Sequence, residues 1–161
     1  MRIKRATLSM AIATIAIGLY AAVAAPSFAA PRRPVARAAS AAATISLRRT
    51  KLGMILVNSR GFTVYAFTHD PLRKNTCISM NGCNTFWPPV KTTGAPRAGT
   101  GVRHSLLGTI RIKGGLQVTY AGHALYLYSG DSGPGQTSYV GVNAFHGEWK
   151  ALRSSGALVG G

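Results

Sequence analysis

Acidic residues are scarce in this sequence, and their scarcity excludes several kinds of site. The chain has 161 residues, of which 3 are Asp or Glu and 19 are Lys or Arg, so that its formal net charge is +16. A calcium or magnesium site needs several carboxylates, and a glycosidase with a carboxylate pair would have to use two of the three present. The composition therefore argues against hard-cation binding and against glycoside hydrolysis.

Long apolar runs are also rare, because only the first 30 residues contain one that approaches the length of a membrane span. This scarcity excludes a multi-pass membrane protein. Hydrophobic residues nevertheless make up 47% of the chain, which is too many for a disordered basic tail. The sequence therefore contains at least one segment that can bury a core.

The apolar run has the features of a secretory signal. Basic residues at 2–5 precede the apolar residues 6–25, and Ser27 and Ala29 supply small residues at a cleavage site. The pattern predicts a signal peptide over 1–29, with an uncleaved membrane anchor as the alternative. Because no cysteine lies near the cleavage site, we expect a secreted or periplasmic chain that is not lipid-anchored.

The rest of the chain divides into a linker and a domain. Residues 30–44 are rich in Pro, Ala and Arg without large apolar side chains, which is typical of a linker. Residues 45–161 are long enough for one domain with its own core. Both cysteines, Cys77 and Cys83, fall in this domain, and an isolated pair in an exported protein predicts a disulfide. With no histidine nearby, the pair is a poor zinc site.

The domain contains an internal repeat, with one copy at about 52–90 and the other at about 113–152. Each copy ends near a tryptophan, Trp87 in repeat one and Trp149 in repeat two. The matching positions are Gly53, Val57, Gly61, Tyr65, Phe67 and Asp70 in repeat one, and Gly114, Val118, Gly122, Tyr126, Tyr128 and Asp131 in repeat two.

Each copy has the pattern of a β-hairpin, in which a glycine-containing turn separates two apolar, β-branched segments. The predicted strands are 54–58 and 62–68 in repeat one, and 116–120 and 123–129 in repeat two. Tyr65 and Phe67 share one face of their strand, whereas Val64 and Ala66 take the other. Because both faces are apolar, we predict an all-β fold, a small antiparallel sandwich or barrel built from two hairpin repeats.

The aromatic and acidic residues of the repeat form the candidate site. Asp70 and Asp131 each follow a return strand, where an aspartate commonly accepts backbone N–H groups and fixes a turn. The alternative is that the two carboxylates line a site beside aromatic rings. The set of possible ligand-binding residues is Tyr65, Phe67, Asp70, Trp87, Tyr126, Tyr128, Asp131 and Trp149.

These motifs resemble a known family. The segments Tyr65-Ala-Phe-Thr-His-Asp70 and Tyr126-Leu-Tyr-Ser-Gly-Asp131, the cysteine pair and the segment Phe86-Trp-Pro-Pro89 are similar to the bacterial secreted-repeat family of unknown function. That family is described as predicted lipoproteins with a Y-x-[FWY]-x-x-D motif. The resemblance implies an exported repeat domain, and it implies no established activity, substrate or catalytic residue.

A catalytic constellation is missing from the pattern. Nucleophilic catalysis needs a nucleophile beside a base and an orienting acid, and the sequence has no G-x-S-x-G segment. We therefore favour a non-catalytic binding or structural module of the cell envelope, without cofactor or metal. The alternative is a small exported enzyme or metal or redox protein whose site lies at the repeat interface, near Asp70, Asp131, His69 and His123.

The basic charge suggests the kind of partner. Arg48, Arg49 and Lys51 cluster at the start of the domain, and other cations are spread along it. An exported cation is attracted to anionic envelope polymers or lipid headgroups, although the same charge can serve solubility alone. No nucleic-acid-binding motif is present, so we expect no specific nucleic-acid partner. Contact with a membrane interior is expected only through an uncleaved signal.

Overall fold

The computed structural model describes residues 42–160. The predicted signal peptide, 1–29, and all but the last residues of the predicted linker, 30–44, lie outside the described residues. The backbone N–H of Ala43 donates a hydrogen bond to the Thr92 hydroxyl (3.1 Å), and the first strand begins at Thr44. The chain is therefore packed onto the β fold from about Ala43 onward.

Strands dominate the described residues, and the helical segments are single turns. The strands are β1 (Thr44–Thr50), β2 (Gly53–Asn58), β3 (Tyr65–Phe67), β4 (Lys91–Thr92), β5 (Arg97–Ala98), β6 (Leu107–Ile112), β7 (Gly115–Tyr120), β8 (His123–Ala124), β9 (Val142–Ala144), β10 (Gly147–Leu152) and β11 (Leu158–Val159). Helix α1 (Cys83–Phe86) and the 3-10 helices Cys77–Ser79 and His104–Leu106 complete the fold. Within 42–160 no helix is long and apolar enough to cross a membrane.

The strands form three sheets. Their orders are β2-β1-β5, β11-β10-β3 with β9 also paired to β10, and β4-β7-β6 with β8 also paired to β7. All pairs are antiparallel except the short pair β1–β5. The prediction of an all-β fold is confirmed. Of the two architectures that were considered, the closed barrel is wrong for the described strands, because these sheets do not close on themselves.

The motif strands are shorter than the sequence indicates, and one of them pairs outside its predicted hairpin. The segment predicted over 62–68 meets β2 only through an isolated bridge between Thr63 and Val57, and its regular strand, β3, pairs with β10. In repeat two, β8 is the regular part of the predicted segment 123–129, and it pairs with β7. The long ladders are instead the hairpins β1–β2 and β6–β7. The pairing of β3 with β10 joins segments about 80 residues apart, and it leaves no local pattern in the sequence.

The turn glycines have the backbone conformation that the hairpin pattern demands. Gly61 has φ +81° and Gly122 has φ +84°, a region that side-chain-bearing residues rarely adopt. The two turns also pack against the opposite repeat. A Cβ atom at Gly61 would lie 3.1 Å from Pro134, and one at Gly122 would lie 3.4 Å from Leu72. Both turns therefore need glycine for its backbone conformation. At Gly61 a side chain would also crowd Pro134.

The two faces of the motif strands enter two different hydrophobic cores, as the alternation of residues predicts. Tyr65 and Phe67 belong to one core, which also contains both tryptophans. Val64 and Ala66 belong to the other. The motif strands are therefore buried on both faces, and the motif side chains point to the aromatic core.

Candidate functional site

The two motif strands meet at their tyrosines. The backbone N–H of Tyr65 donates to the carbonyl oxygen of Tyr126, and the N–H of Tyr126 donates to the carbonyl oxygen of Tyr65, each at 2.9 Å. Both tyrosines are fully buried. Because the bonds are reciprocal, an approximate local twofold axis passes between these residues and relates the two repeats.

The tyrosine hydroxyls cross to the aspartates of the opposite repeat. Tyr126 donates to Asp70 at 2.5 Å, and Tyr65 donates to Asp131, with its two carboxylate oxygens at 3.0 and 3.4 Å. Each repeat therefore supplies the acceptor for the other repeat's buried hydroxyl. A hydrogen bond between a hydroxyl and a carboxylate is among the stronger kinds in proteins, so the exchange ties the repeats together.

The remaining motif rings form a four-membered stack at the same axis. Phe67 packs on Trp149 (4.3 Å between centroids), Trp149 on Trp87 (3.7 Å) and Trp87 on Tyr128 (4.6 Å). The order alternates so that each repeat's motif ring contacts the other repeat's tryptophan. The edges of Tyr65 and Tyr126 pack on the two tryptophans, each pair at 5.2 Å. All eight residues predicted as a site are thus brought together in one aromatic core.

The ionisation of the buried pairs favours a structural role. Burial, followed by the neighbouring carboxylate, raises the pKa of both Tyr65 and Tyr126 far above the ordinary value of 10.0. Both phenols therefore stay protonated and keep donating. Desolvation raises the pKa of Asp131, although the hydrogen bond from Tyr65 works in the opposite direction. Phenols that hold their protons this tightly are poor proton-transfer groups.

The two aspartates differ in their other contacts. Asp70 also accepts hydrogen bonds from the backbone N–H and the hydroxyl of Thr76, at 2.7 and 2.6 Å, and so fixes the loop that follows it. The turn after Asp131 is held by Gln136, whose side-chain oxygen accepts the N–H groups of Ser132 and Gly133. Asp70 thus supports both the repeat interface and its own loop.

The cysteine pair forms the predicted disulfide. Cys77 and Cys83 are fully buried, with their Cα atoms 5.3 Å apart. The bridge joins the 3-10 helix Cys77–Ser79 to helix α1, directly before Trp87. The disulfide therefore holds the loop that positions the tryptophan of repeat one.

The histidines considered for a metal site stand apart from any ligand cluster. His123 is half-buried near Asp70, and desolvation lowers its pKa more than that carboxylate raises it. His69 packs beside Phe67 (5.7 Å between ring centroids). In residues 42–160 no group of three or more His, Cys, Asp or Glu side chains is placed to hold a metal ion.

An aromatic cleft of about 220 Å³ opens beside the stack. It is lined by Phe86, Trp87, Tyr128, Tyr139, Ala144 and Phe145. The Tyr128 and Tyr139 rings lie 3.6 Å apart, and hydrogen bonding to Tyr139 raises the pKa of Tyr128 to about 12. Phe145 is held in the left-handed region (φ +58°) by the tight turn between β9 and β10. Tyr139 lies outside both hexapeptide motifs, so sequence reasoning missed it.

The surface carries the basic residues almost without acidic partners. The one ion pair in the described part of the chain joins Lys150 to Glu148 at 2.7 Å, while Asp70 and Asp131 face the core hydroxyls. The described basic residues are Arg48, Arg49, Lys51, Arg60, Arg73, Lys74, Lys91, Arg97, Arg103, Arg111, Lys113, Lys150 and Arg153. The charge excess is therefore a property of the exterior.

Two cavities open among these cations. One, of about 410 Å³, lies beside Lys91 and the turn at Gly114. The other, of about 340 Å³, lies between residues 73–79 and β6, with Arg73, Lys74 and Arg111 in its lining. Neither carboxylate of the repeat motif lines these cavities or the aromatic cleft. The motif carboxylates therefore do not open into these cavities, although the second cavity borders the motif core through Ile110 and through Thr76, which bonds to Asp70.

Comparison with known proteins supports the resemblance seen in the motifs. No curated protein and no solved structure matches the chain. Residues 109–153 match the model of a family described as a secreted repeat of unknown function. The matched segment contains Tyr126, Tyr128, Asp131 and Trp149. The match covers repeat two, and the family that it names is the one that the motifs resemble.

Proposed function

We propose that this protein is an exported, non-catalytic module that attaches to the cell envelope by charge, with anionic envelope polymers as its partners. The observation that carries the proposal is the distribution of charge. The three acidic side chains are engaged, two with buried tyrosines and one with Lys150. Nearly all the basic side chains are left for an external partner.

The motif core supports the non-catalytic part of this proposal. A catalytic carboxylate or phenol must reach a substrate and exchange a proton with it. Tyr65 and Tyr126 are fully buried, and their hydroxyls are hydrogen-bonded to the aspartates. The residues with the most distinctive pattern are thus used to join the repeats.

The uncompensated surface charge supports the binding part. A cationic surface attracts the negative charges of a flexible polymer over about a Debye length, which is about 10 Å at 0.1 M salt. The basic residues are spread over several strands and turns, an arrangement suited to a polymer that makes many contacts. Anionic lipid headgroups carry the same negative charge in a planar array, and the experiment below therefore compares polymer with lipid vesicles.

Binding as a function of salt tests the proposal. The chain from residue 30 is mixed with isolated envelopes, with a soluble glycerol phosphate oligomer, and with phosphatidylglycerol or phosphatidylcholine vesicles. We expect binding to the envelopes and the oligomer that weakens steeply between about 50 and 500 mM NaCl. Neutral dextran is the control for non-electrostatic retention. Absence of binding at low salt, or binding that does not depend on salt, would contradict the proposal. Stronger binding to phosphatidylglycerol vesicles than to the oligomer would show that the partner is lipid and not polymer.

Export belongs to the same proposal. We propose that the segment 1–29 directs secretion and is removed after Ala29, without lipid attachment. Mass spectrometry of the exported protein is expected to find a chain that begins at Ala30 and carries no acyl group. A chain that keeps residues 1–29 would instead support the membrane-anchor alternative.

A further inference from the structure

The cavity between residues 73–79 and strand β6, here called the Arg73 cavity, has the chemistry of an anion site. Its volume is about 340 Å³. Its lining combines three cations with two hydroxyl groups and several apolar side chains, namely Arg73, Lys74, Arg111, Thr76, Ser79, Ile78, Ile110 and Ile112. We propose that the Arg73 cavity binds one phosphate group of the anionic partner. This inference rests on the proposed function and names the site where that function becomes specific.

The three cations are free to bind an anion. In the described structure none of Arg73, Lys74 and Arg111 forms an ion pair, and the lining contains no acidic residue. Arginine presents a planar set of N–H donors that matches the oxygens of a phosphate group, and lysine adds a compact charge. Two arginines and one lysine around a cavity therefore favour a phosphate group over a single carboxylate.

The backbone holds Arg73 in an unusual conformation. Its φ is +60°, a region in which a residue other than glycine is disfavoured. A hydrogen bond from its N–H to the carbonyl oxygen of Gly122 (2.7 Å) fixes it against the turn of repeat two. Backbone strain of this kind is concentrated at functional sites. Arg73 lines the cavity from this fixed backbone position.

The opposite wall and the end of the loop are also fixed. Arg111 lies in β6, where it is paired with Leu116 of β7. Asn75 donates from its side chain to Gln117 (2.8 Å) and accepts the N–H of Ile78 (2.8 Å), and Gln117 is fully buried. A cavity whose walls are held before binding loses little entropy when a ligand enters.

The one acidic residue in contact with the lining is already engaged. Asp70 bonds to Thr76, which lines the cavity, and also accepts the Tyr126 hydroxyl. Three donors thus share its negative charge. Asp70 itself does not line the cavity, so the net charge of the lining is positive.

Repeat two lacks the same cations. When the repeats are aligned on Asp70 and Asp131, Arg73 and Lys74 correspond to Pro134 and Gly135. Arg73 and Lys74 therefore occur in repeat one alone, and the approximate twofold symmetry does not require them.

Paired charge-removal variants test the site. Lys74→Gln/Arg111→Gln removes two charges from the cavity, and Lys51→Gln/Arg97→Gln removes two exposed charges elsewhere. Losing two hydrogen bonds to a charged group is expected to weaken binding of the glycerol phosphate oligomer about tenfold or more, against about twofold for the control. Equal losses of affinity in the two double variants would contradict the cavity as the binding site and would leave the proposed function unaffected. Absence of binding by the natural chain at low salt would overturn both.

Arg73→Gly separates binding from folding. Glycine accepts the positive φ and keeps the backbone N–H, so that the thermal midpoint is expected to stay the same or to rise. Binding is nevertheless expected to weaken about tenfold. Unchanged binding in this folded variant would contradict the proposal.

NMR signals of individual arginine side chains test whether phosphate enters the cavity and whether it comes from a polymer or a lipid. Inorganic phosphate is expected to shift the Nε–Hε NMR signals of Arg73 and Arg111 and to leave that of Arg97 unchanged. The same shifts with the glycerol phosphate oligomer or with phosphatidylglycerol vesicles would show which source occupies the cavity. Polyglutamate of matched charge that produces equal shifts would contradict the preference for phosphate.

Discussion

The two repeats share a motif and differ in what surrounds their tryptophans. Counted back from Trp87 and Trp149, Cys77 corresponds to Tyr139 and Cys83 corresponds to Phe145. In repeat one these positions form a buried disulfide. In repeat two they supply two half-buried rings to the aromatic cleft. Positions equally far from the two tryptophans thus carry a covalent bond in repeat one and aromatic side chains in repeat two.

The difference shows which parts of the repeat are fixed by the interface and which are free to diverge. The Tyr, Asp and Trp positions contact the opposite repeat, so that a change in one repeat disturbs both. The positions before each tryptophan have diverged, and in repeat two their rings, Tyr139 and Phe145, contact Trp87 and Phe86 of repeat one. The Arg73 cavity and the aromatic cleft both arise at such diverged positions. Features that differ between the repeats are therefore the places to look for binding.

The largest effect is expected at the tryptophans. Trp87→Ala and Trp149→Ala each remove the centre of a ring stack and leave a cavity, so that each should lower the free energy of unfolding by about 3–5 kcal/mol. Because the two rings contact each other, the double variant should lose less than the sum. Chemical denaturation measures both. Trp149→Phe is the control, since it keeps a ring and removes a buried indole N–H without a partner among the described residues. If the loss of stability in the double variant equals the sum of the two single losses, the two tryptophans do not stabilise each other as the stack implies.

The disulfide tests the asymmetry between the repeats. Cys77→Ala/Cys83→Ala is expected to lower stability by about 2 kcal/mol, the cost in the chain-entropy model for a short closed loop. Thermal melts with and without a thiol reductant measure this effect. The reductant should lower the midpoint of the natural chain and leave that of the variant unchanged. An equal response of both proteins to the reductant would show that the loop is held by other contacts.

The crossed tyrosines are expected to contribute unequally. Tyr126→Phe should cost about 3 kcal/mol and Tyr65→Phe about 1.5 kcal/mol, the two ends of the range for hydrogen bonds to charged groups, because the Tyr126 bond is the shorter one. Each substitution keeps the ring and removes only the hydroxyl. Equal losses, or a larger loss for Tyr65→Phe, would refute the ranking.

The smallest effect is a pH dependence at Asp131. Because the folded-state pKa of this carboxyl is raised from its ordinary value of 3.8, protonation favours the folded state. The stabilisation is complete below the ordinary pKa and is lost as pH rises through the folded-state pKa. The stability of the natural chain relative to Asp131→Asn should therefore fall from about pH 4 upward. A difference that stays constant with pH, or rises, would contradict the sign of this shift.

Much of the fold could be predicted because its signals are local. Alternating apolar residues correctly divided Tyr65 and Phe67 from Val64 and Ala66, and the turn glycines marked Gly61 and Gly122. The cysteine pair predicted its own bond. Each of these inferences needs only the pattern of neighbouring residues and the stereochemistry of a strand or turn.

The arrangement of the site could not be predicted, because it depends on contacts between distant segments. Tyr65 and Asp131 lie in different repeats, and no local pattern shows that the hydroxyl of one reaches the carboxylate of the other. The pairing of β3 with β10 is equally remote in sequence. The residues of the Arg73 cavity also come from separate segments, so that their convergence appears only once the repeats have packed.

Replacing both motif carboxylates tests the central claim most directly, that the motif joins the repeats while the cationic surface binds. In Asp70→Asn/Asp131→Asn, an amide group replaces an acceptor that faces several donors, so that the thermal midpoint should fall. At a temperature where the variant remains folded, its affinity for the glycerol phosphate oligomer should equal or exceed that of the natural chain, because two negative charges are gone. A variant that melts at the natural temperature but no longer binds would contradict the claim and would place the motif in the binding site.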